Sequence, residues 1–382
     1  MVTFLPTRPG RLADVPSFDR AIGGAESNVA CGLAAAGHAV RWVSRVGADG
    51  FGDHLVATVA SYGVDVSYVG RDAVRPTGVY FRTAGDRATD AHEVAYYRAG
   101  SAASAMSVTD VDLDAVRAGR VLHLSGITAA LSEGCLGLLR ELTEPADVRP
   151  LVSFDVNYRP SLWAGSDGAE VLLELARRAD IVFVGEDEAE LAWGVEGGPE
   201  AIRELLPEPA VLVVKQGAKG ATAFRRGGAG GSSAAARWGL AAPTRRQPHI
   251  EHSPAPLPGR RPAVSRRATR QARVSETPPP ADPHGTFEPA PTVDVVATVG
   301  AGDAFAAGFL SGALRGLPVR QGLRLGHLFA AAVLTTPADL AAPPARDTTD
   351  RLTALGDTAW ERLRLGPGWT QADAAEEEVR NP

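Results

Sequence analysis

The sequence predicts an α/β fold in which a mostly parallel central sheet carries helices on both faces. Strand-like and helix-like segments alternate along the chain, which is typical of parallel sheets with crossover helices. Several strand candidates, such as residues 151–155, are short apolar runs, as expected for strands buried on both faces. The chain has 382 residues, 45% hydrophobic and 22% charged, which is enough for one large globular α/β domain or two ordinary ones.

The predicted strands are short segments rich in apolar and β-branched residues, at 39–46, 78–82, 94–97, 121–124, 151–155, 181–184, 211–215, 221–225 and 293–298. The predicted helices lie at 28–36, 52–62, 110–118, 133–142, 169–178, 186–193, 200–206, 304–315, 319–335 and 349–365. Residues 2–6 form one further candidate strand, but no complete strand–helix unit precedes Gly23. We therefore expect residues 1–22 to be a shortened amino-terminal part of the fold.

Charge and composition argue against several classes of protein. The net charge of −6 gives no general case for nucleic acid or an anionic membrane as a partner. No run approaches the roughly 18 apolar residues of a membrane span, and no signal-peptide pattern opens the chain. The two cysteines, Cys31 and Cys135, lack CxxC spacing, which favours a reducing compartment. We expect a cytoplasmic protein.

Residues 227–285 interrupt the alternation of strands and helices. They hold a Gly/Ser/Ala tract, arginine pairs at 245–246, 260–261 and 266–267, and three consecutive prolines at 278–280. So few large apolar residues cannot offset the ordering entropy of the segment, which predicts a disordered insertion. The alternative is a basic arm for nucleic acid or an acidic partner. Residues 366–382 are predicted to form a tail.

The most informative motif is ATVGAGDAF at residues 297–305. It follows a β-branched stretch and precedes an Ala/Gly/Leu-rich segment, which predicts a strand, a glycine turn and a helix. Gly300 and Gly302 allow close approach of the backbone to a ligand, and the first amides of a helix bind anions. Asp303 beside such an anion site makes sense as a base for a hydroxyl that attacks a phosphoryl group. A GxG turn alone is more often an ordinary connection, so other motifs must decide.

Three further motifs support the ligand-binding interpretation. They read GGAESNVA at 23–30, RVGADGFG at 45–52 and DVNYRPSLW at 155–163. With 297–305 they make the chain, from Gly23 to about Pro337, resemble the PfkB, or ribokinase-like, family of carbohydrate kinases. The resemblance is strongest to the 2-keto-3-deoxygluconate kinase and fructokinase branch. It implies a ribokinase-like core at 23–74 and 100–365, and a small β lid at 1–22 and 75–99.

The resemblance implies roles for individual residues. Asp303 would be the catalytic base, and the backbone amides of Gly300, Ala301 and Gly302 would hold the charge of the transferring phosphate. The positions that match substrate contacts are Gly23, Gly24, Asn28, Tyr80, Tyr97, Arg98, Asn157 and Arg159. Those that match nucleotide contacts are Lys215, Gly217, Gly220 and Thr298, and Glu188 matches a residue that helps to hold Mg²⁺.

Each of these assignments has a structural alternative. Asn28 could simply cap a helix, the tyrosines could be ordinary edge-strand aromatics, and Arg159 could form a structural salt bridge. Acids at 186–188 would in any case stabilise the start of a helix. Two positions also depart from the family pattern: Ala297 replaces an acid that commonly helps to bind a monovalent cation, and Gly185 replaces an asparagine. We therefore expect weak or absent activation by K⁺.

Taken together, the motifs predict an ATP- and Mg²⁺-dependent sugar kinase whose acceptor is a keto-sugar acid, 2-keto-3-deoxygluconate. Arg159, with Tyr97 and Arg98, is the main reason to prefer an acidic sugar, because an arginine can bind a carboxylate in a bidentate manner. A kinase for a neutral sugar or nucleoside, such as a fructokinase, is the first alternative. A catalytically weak sugar-binding protein is the second. The lid sheet also suggests a homodimer contact.

Overall fold

The computed structural model describes residues 1–83, 93–146, 149–163, 167–226 and 285–370. The predicted disordered insertion lies outside the described residues except for Gly285, and so does the tail beyond residue 370. Both remain predictions. None of the helices in the described ranges is long and apolar enough to cross a membrane.

The strands, in chain order, are β1 (Val2–Pro6), β2 (Phe18–Ile22), β3 (Ser44–Gly47), β4 (Val69–Asp72), β5 (Val79–Arg82), β6 (Val94–Tyr97), β7 (Val121–Ser125), β8 (Leu151–Asp155), β9 (Ile181–Gly185), β10 (Val211–Lys215), β11 (Gly220–Arg225), β12 (Thr286–Pro289), β13 (Thr292–Val293) and β14 (Arg364–Leu365). The helices are α1 (Ala25–Ala35), α2 (Gly50–Ser61), α3 (Leu113–Arg117), α4 (Gly126–Ala129), α5 (Glu133–Thr143), α6 (Gly168–Arg178), α7 (Glu186–Trp193), α8 (Gly198–Leu205), α9 (Ala301–Arg315), α10 (Val319–Leu334), α11 (Arg346–Thr353) and α12 (Asp357–Glu361).

A six-stranded sheet forms the centre of the molecule, in the order β12-β11-β10-β9-β8-β7. Strands β7 to β10 are parallel, whereas β11 and β12 are antiparallel to their neighbours. Alternate residues of β9 face opposite sides: Val182 and Val184 pack in one apolar cluster, Ile181 and Phe183 in the other. Helices cover both clusters, so the predicted mostly parallel sheet with helices on both faces is confirmed.

A second sheet of four strands, in the order β2-β1-β5-β6, forms the small β lid. Residues 2–6 form a strand of this sheet, within the segment 1–22 that the sequence assigned to the lid. β1 runs antiparallel to β2 and parallel to β5, while β5 and β6 are antiparallel. The lid therefore combines the amino-terminal segment with residues 79–97, although 84–92 lie outside the described ranges.

Two predicted elements near the carboxyl end were wrong. Residues 293–298 do not form a strand of the central sheet: only Thr292–Val293 pairs, with Arg364–Leu365, and the amide of Val296 bonds the carbonyl of Leu334. Residues 349–365 do not form one helix, because a break at residues 354–356 separates α11 from α12, and β14 follows. The predicted strand at 39–46 is also shorter, since only Ser44–Gly47 pairs as β3.

Candidate active site

The carboxyl ends of β8, β9 and β10 and the start of α9 border a cavity of about 1370 Å³. The volume also extends between β7 and β3, whose residues line it. In the described parts of the chain, β7 pairs only with β8 and β3 only with β4. The cavity thus combines a cleft at the ends of parallel strands, where α/β sheets bind ligands, with a gap between two sheets.

The glycine turn before α9 has the backbone geometry of an anion site. Gly300 precedes the helix with φ of 85°, a left-handed conformation that glycine adopts without steric cost. A Cβ atom at this position would lie 2.1 Å from the carbonyl oxygen of Asp339, so only glycine fits. The amide of Ala301 makes a long 3.4 Å bond to the carbonyl of Thr298. The amides of Gly302 and Asp303 lie in the first turn, where a helix offers no internal acceptor.

Asp303 stands at the start of α9 and borders the cavity. The side-chain amide of Asn28 donates a 2.8 Å hydrogen bond to its Oδ2 atom. Burial raises the pKa of Asp303 to about 7, and the carboxylate of Asp155 also raises it, whereas the Asn28 bond and Lys215 lower it. A carboxylate with a pKa near neutrality is suited to general base chemistry.

Lys215, at the end of β10, adds a positive charge beside Asp303 and the glycine turn. Its Nζ atom lies 3.0 and 3.1 Å from the two carboxylate oxygens of Asp155, at the end of β8. It also lies 3.6 Å from the position that a Cβ atom on Gly302 would take. Although burial favours the neutral amine, the carboxylates of Asp155, Glu188 and Asp303 together raise the pKa of Lys215. A charged lysine therefore lies beside the anion-binding turn.

Two arginines border the cavity, one after a strand of the lid sheet and one after a strand of the central sheet. Arg98 follows the lid strand β6, and its guanidinium lies 4.3 Å from the ring centroid of Tyr96. Arg159 follows β8 and lies 3.4 Å from Glu188. Burial lowers the pKa of Arg98, and the like charge of Arg159 adds to the effect, so the two guanidinium groups influence each other. Among the described residues no carboxylate forms an ion pair with Arg98.

Tyr96, rather than the predicted Tyr97, lines the cavity. Tyr80 and Tyr96 are cross-strand partners on β5 and β6, and their ring centroids are 5.4 Å apart. Because side chains alternate along a strand, Tyr97 points to the outer face, where it is 66% exposed and contacts Phe81. Tyr96 is therefore a further candidate for a substrate contact, and the assignment of Tyr97, which does not border the cavity, stays a prediction.

Two buried amide oxygens border the cavity without a partner. They are Oδ1 of Asn28 and Oδ1 of Asn157, neither of which accepts a hydrogen bond from any described residue. Asn157 also has φ of 41°, which is uncommon for a residue other than glycine. Buried acceptors are normally satisfied, and strained backbone often accompanies ligand sites. These oxygens are candidates to receive hydroxyl groups of a bound sugar.

Glu188 is the residue that the sequence analysis predicted to help hold a metal ion. Its Oε2 atom accepts a 2.9 Å bond from the amide of Gly185, which fixes the side chain at the start of α7. The described residues contain no group of three or more His, Cys, Asp or Glu side chains that could hold a metal. A lone carboxylate fits Mg²⁺, which keeps several waters and binds substrate phosphates.

Most of the predicted site residues border this one cavity: Gly24, Asn28, Tyr80, Arg98, Asn157, Arg159, Glu188, Lys215, Gly217, Thr298, Gly300, Gly302 and Asp303. Gly23, Ala301 and Gly220 do not. Gly23 packs under the hydroxyl of Tyr80, and a Cβ on Gly220 would lie 2.3 Å from the carbonyl of Glu288. Gly220 therefore serves the packing of β11 against β12 rather than the cavity.

The sequence reasoning did not identify Glu26, Tyr96, Arg82 or Asp339, all of which border the cavity. Glu26 bonds the hydroxyl of Thr128, and burial raises its pKa. Strand alternation separates Tyr96 from Tyr97, but the register that pairs Tyr96 with Tyr80 is seen only in the folded chain. Asp339 lies in an irregular segment after α10 and gives no local signal.

Comparison with known proteins places the chain in a family. The family model described as pfkB family carbohydrate kinase matches residues 2–237 and 261–346. The 2-dehydro-3-deoxygluconokinase of Bacillus subtilis (strain 168) is 30% identical over 352 residues, which are 91% of this chain and 91% of that protein. Fructokinase-1 of Oryza sativa subsp. japonica is 31% identical over 231 residues, 59% of this chain and 71% of that protein.

Solved structures agree with this result. A PfkB protein from Polaromonas sp. JS666 superposes with a TM-score of 0.65 at 30% identity, covering 89% of this chain and 95% of that one. The 2-dehydro-3-deoxygluconokinase of Thermotoga maritima, at 20% identity, shares the fold with a TM-score of 0.70, covering 93% and 96% of the two chains. The ribokinase-like fold predicted from the motifs is confirmed. The chain belongs to the pfkB family of carbohydrate kinases, phosphotransferases that act on sugar hydroxyls.

Proposed function

We propose that the protein phosphorylates a keto-sugar acid, 2-dehydro-3-deoxygluconate (2-keto-3-deoxygluconate), with ATP as the phosphoryl donor. The observation that carries the proposal is that Arg98 and Arg159 border the same cavity as Asp303. Guanidinium groups bind carboxylates with charge-assisted bonds, and a neutral sugar offers them no anion. The names of the Bacillus subtilis and Thermoproteus tenax relatives, at 30% and 34% identity, support the same substrate.

Asp303 accepts the proton of the sugar hydroxyl in this proposal. The hydroxyl oxygen then forms its bond to the γ-phosphorus of ATP as the bond to the ADP oxygen breaks. The amides of the turn at 300–303 and the ammonium of Lys215 stabilise negative charge on the transferring group. Gly217 and Thr298, which border the cavity nearby, are the proposed nucleotide contacts.

Mg²⁺ is the proposed metal, with Glu188 as the residue that holds it through water. When bound, the ion neutralises charge on the ATP phosphates. The chain's own contribution is to fix the Glu188 carboxylate through the Gly185 amide. Arg159 lies 3.4 Å from the other carboxylate oxygen of Glu188. The arginine proposed to bind the sugar acid is therefore next to the carboxylate proposed to hold Mg²⁺.

A substrate screen tests the proposal. Purified full-length protein is assayed for ADP release with ATP, Mg²⁺ and, in turn, 2-dehydro-3-deoxygluconate, fructose, ribose and adenosine. We expect the sugar acid to have the highest kcat/KM. A preference for fructose would overturn the substrate while leaving the kinase family intact. Absence of ADP release with every acceptor would favour the weak sugar-binding alternative.

A substitution separates recognition of the carboxylate from catalysis. Arg159→Gln should raise KM for the sugar acid roughly 10- to 100-fold, because a hydrogen bond to a charged group contributes about 1.5–3 kcal/mol. KM for ATP should stay close to that of the parent protein. Arg177→Gln, which changes an exposed arginine of α6 that is paired with Glu208 and does not border the cavity, is the matched control. An unchanged KM in Arg159→Gln would indicate a neutral substrate.

A kinase for a neutral sugar is the second candidate, and one contact favours it. Arg159 already has a carboxylate partner in Glu188, so its charge is balanced without an acidic substrate. The similarity to rice Fructokinase-1 over 231 residues is consistent with this alternative. Arg98, which has no such partner among the described residues, weighs against it.

We also propose that two copies of the chain associate through the outer face of the lid. Phe4, Phe18, Phe81 and Tyr97 form a continuous aromatic cluster on this face, and Phe51 extends it at 39% exposure. Exposed aromatic patches often mark interaction sites. Light scattering of Tyr97→Asp should give a monomer mass where the parent gives a dimer. A parent protein that is monomeric at micromolar concentration would contradict the proposal.

A further inference from the structure

Two side chains of the lid sheet contact one buried carboxylate, and one of the two forms an ion pair with it. Tyr80 and Arg82 are two residues apart on β5, so both side chains leave the same face of the strand. Both contact the carboxylate of Asp339: the Tyr80 hydroxyl donates to Oδ2, and Arg82 Nη2 lies 2.8 Å from Oδ1. The side chains of Arg82 and Asp339 are only 4% and 1% exposed.

The guanidinium of Arg82 holds the backbone of this segment as well as its carboxylate. The same Nη2 atom donates to the carbonyl oxygen of Pro337. A planar guanidinium with five donors can serve a carbonyl and a carboxylate together, which an ammonium group does less well. One lid side chain therefore fixes two points of the segment 337–339.

This segment packs directly against the anion-binding turn. The carbonyl carbon and oxygen of Asp339 would lie 2.9 and 2.1 Å from a Cβ atom on Gly300. Gly300 precedes α9, whose first amides form the proposed phosphate site. A continuous path of contacts thus runs from the lid through Arg82 and Asp339 to the backbone that would bind the transferring phosphate.

We propose that Arg82 and Asp339 are positioning residues for phosphoryl transfer. The Arg82 guanidinium links the lid to segment 337–339, and this segment in turn holds Gly300 in the geometry that presents the anion-binding amides. The proposal rests on the assignment of the turn at 298–303 as the phosphoryl site. It assigns neither residue a contact with the substrate.

The energetics of burial explain why this pair is informative. A buried ion pair is weak evidence for stability, since apolar replacements of both partners are often neutral or stabilising. Removing only one partner leaves an unpaired buried charge and is strongly destabilising. A pair that contributes little net stability but fixes geometry should reveal itself in turnover rather than in the melting temperature of the double variant.

The test is a double-mutant cycle with Arg82→Met, Asp339→Leu and the combined variant, each assayed on the sugar that the parent phosphorylates best. We expect kcat to fall roughly 10- to 100-fold in the combined variant, because a small misplacement of catalytic groups has effects of that size. The losses should not be additive, since either single change already breaks the path. KM for the sugar should change much less than kcat.

The combined variant keeps the proposal testable if a single variant fails to fold. It is measured below its melting temperature, with folding confirmed by circular dichroism. Arg117→Met, which changes a surface arginine that is paired with Glu141 and does not itself border the cavity, is the control and should leave kcat unchanged. Full activity in the folded combined variant would overturn the proposal, as would additive losses in the cycle.

Two readouts separate positioning from a general loss of structure. In Arg82→Ala, added guanidinium chloride at concentrations far below those that unfold the protein should restore part of kcat, while the Asp339→Leu variant should not respond. Amide hydrogen exchange of residues 299–304 should become faster in the combined variant, and this measurement does not depend on which sugar is the substrate. Unchanged exchange in that segment would refute the path of contacts even if the substrate proposal fails independently.

Discussion

Asp303→Asn tests the chemical step most directly. The substitution keeps the size of the side chain and can keep the contact with Asn28, but it removes the group that accepts the proton. General base catalysis contributes about 10²–10⁴-fold, which corresponds to roughly 3–5 kcal/mol of barrier at 1.36 kcal/mol per tenfold change. We therefore expect kcat to fall at least about a hundredfold, with KM for ATP little changed.

The pH dependence of the parent enzyme is a second test of Asp303 as the base. Because burial raises the pKa of Asp303 to about 7, the base is about half ionised at pH 7 and mostly protonated at pH 6. The parent kcat/KM, which reports ionisation of the free enzyme, should rise with pH and level off above about pH 8, and the residual kcat/KM of Asp303→Asn should lack this step. Stopped-time assays of ADP release between pH 5.5 and 9 measure both curves.

The raised pKa of Asp303 also predicts the sign of the change in stability that Asp303→Asn causes. A carboxyl whose pKa is raised in the folded state contributes stability that is fully present below its unfolded pKa, near 4, and lost as pH rises to about 7. Asn does not titrate, so Asp303→Asn should gain stability over the parent between those pH values and keep the gain above them.

Calorimetric melting at pH 5 and pH 8 measures the difference, with the exposed Asp53→Asn on α2 as the control. Near-normal turnover in Asp303→Asn, or a rate profile without a step near pH 7, would refute the assignment of the base. A melting difference that is larger at pH 5 than at pH 8 would contradict the raised pKa.

Three further predictions concern the surroundings of Asp303. Asn28→Ala removes the hydrogen bond that lowers the pKa of Asp303, so the step in the rate profile should move to higher pH; a step that stays in place contradicts this. Gly300→Ala should lower both kcat and the melting temperature, because the new Cβ would meet the Asp339 carbonyl. Gly37→Ala is the control for backbone strain alone, because Gly37 has φ of 87° but a Cβ atom there would meet no neighbouring atom. Because residue 297 is alanine, kcat should be the same in KCl and NaCl of equal ionic strength, and strong stimulation by K⁺ would disprove that expectation.

The central sheet could be predicted closely because its signals are local. Strands β8 and β10 match their predicted bounds, since buried parallel strands are short apolar runs bordered by turn residues. The segment 293–298 has at least as high a share of β-branched residues as either strand, but it was predicted wrongly. Its backbone instead bonds the ends of α10 and β14, and no pattern within the segment reveals those distant partners. Tertiary contacts here override local propensity.

The site was predictable where a motif carries its own geometry. The polar residues after β8 follow a strand of the central sheet, so their place at its carboxyl edge follows from topology. The glycines of the turn at 300–303 mark the start of α9 by themselves, although no strand of the central sheet precedes them. The choice between Tyr96 and Tyr97 could not be made from the sequence, because the alternation of β6 fixes which residues share a face but not which face meets the cavity. Asp339 is 259 positions from Tyr80, and only the folded chain brings them together.

Several departures from ordinary structural rules lie at residues that border this one cavity. The buried oxygens of Asn28 and Asn157 lack partners among the described residues, Asn157 has a positive φ, and Asp303 is a carboxyl with a pKa near 7. Each departure lowers stability by itself, and a sequence shaped only for folding would have removed them. Together they make sense if a sugar supplies hydroxyls to the two amides and a proton to Asp303. These departures are therefore the physical argument for the proposed sugar site in this cavity.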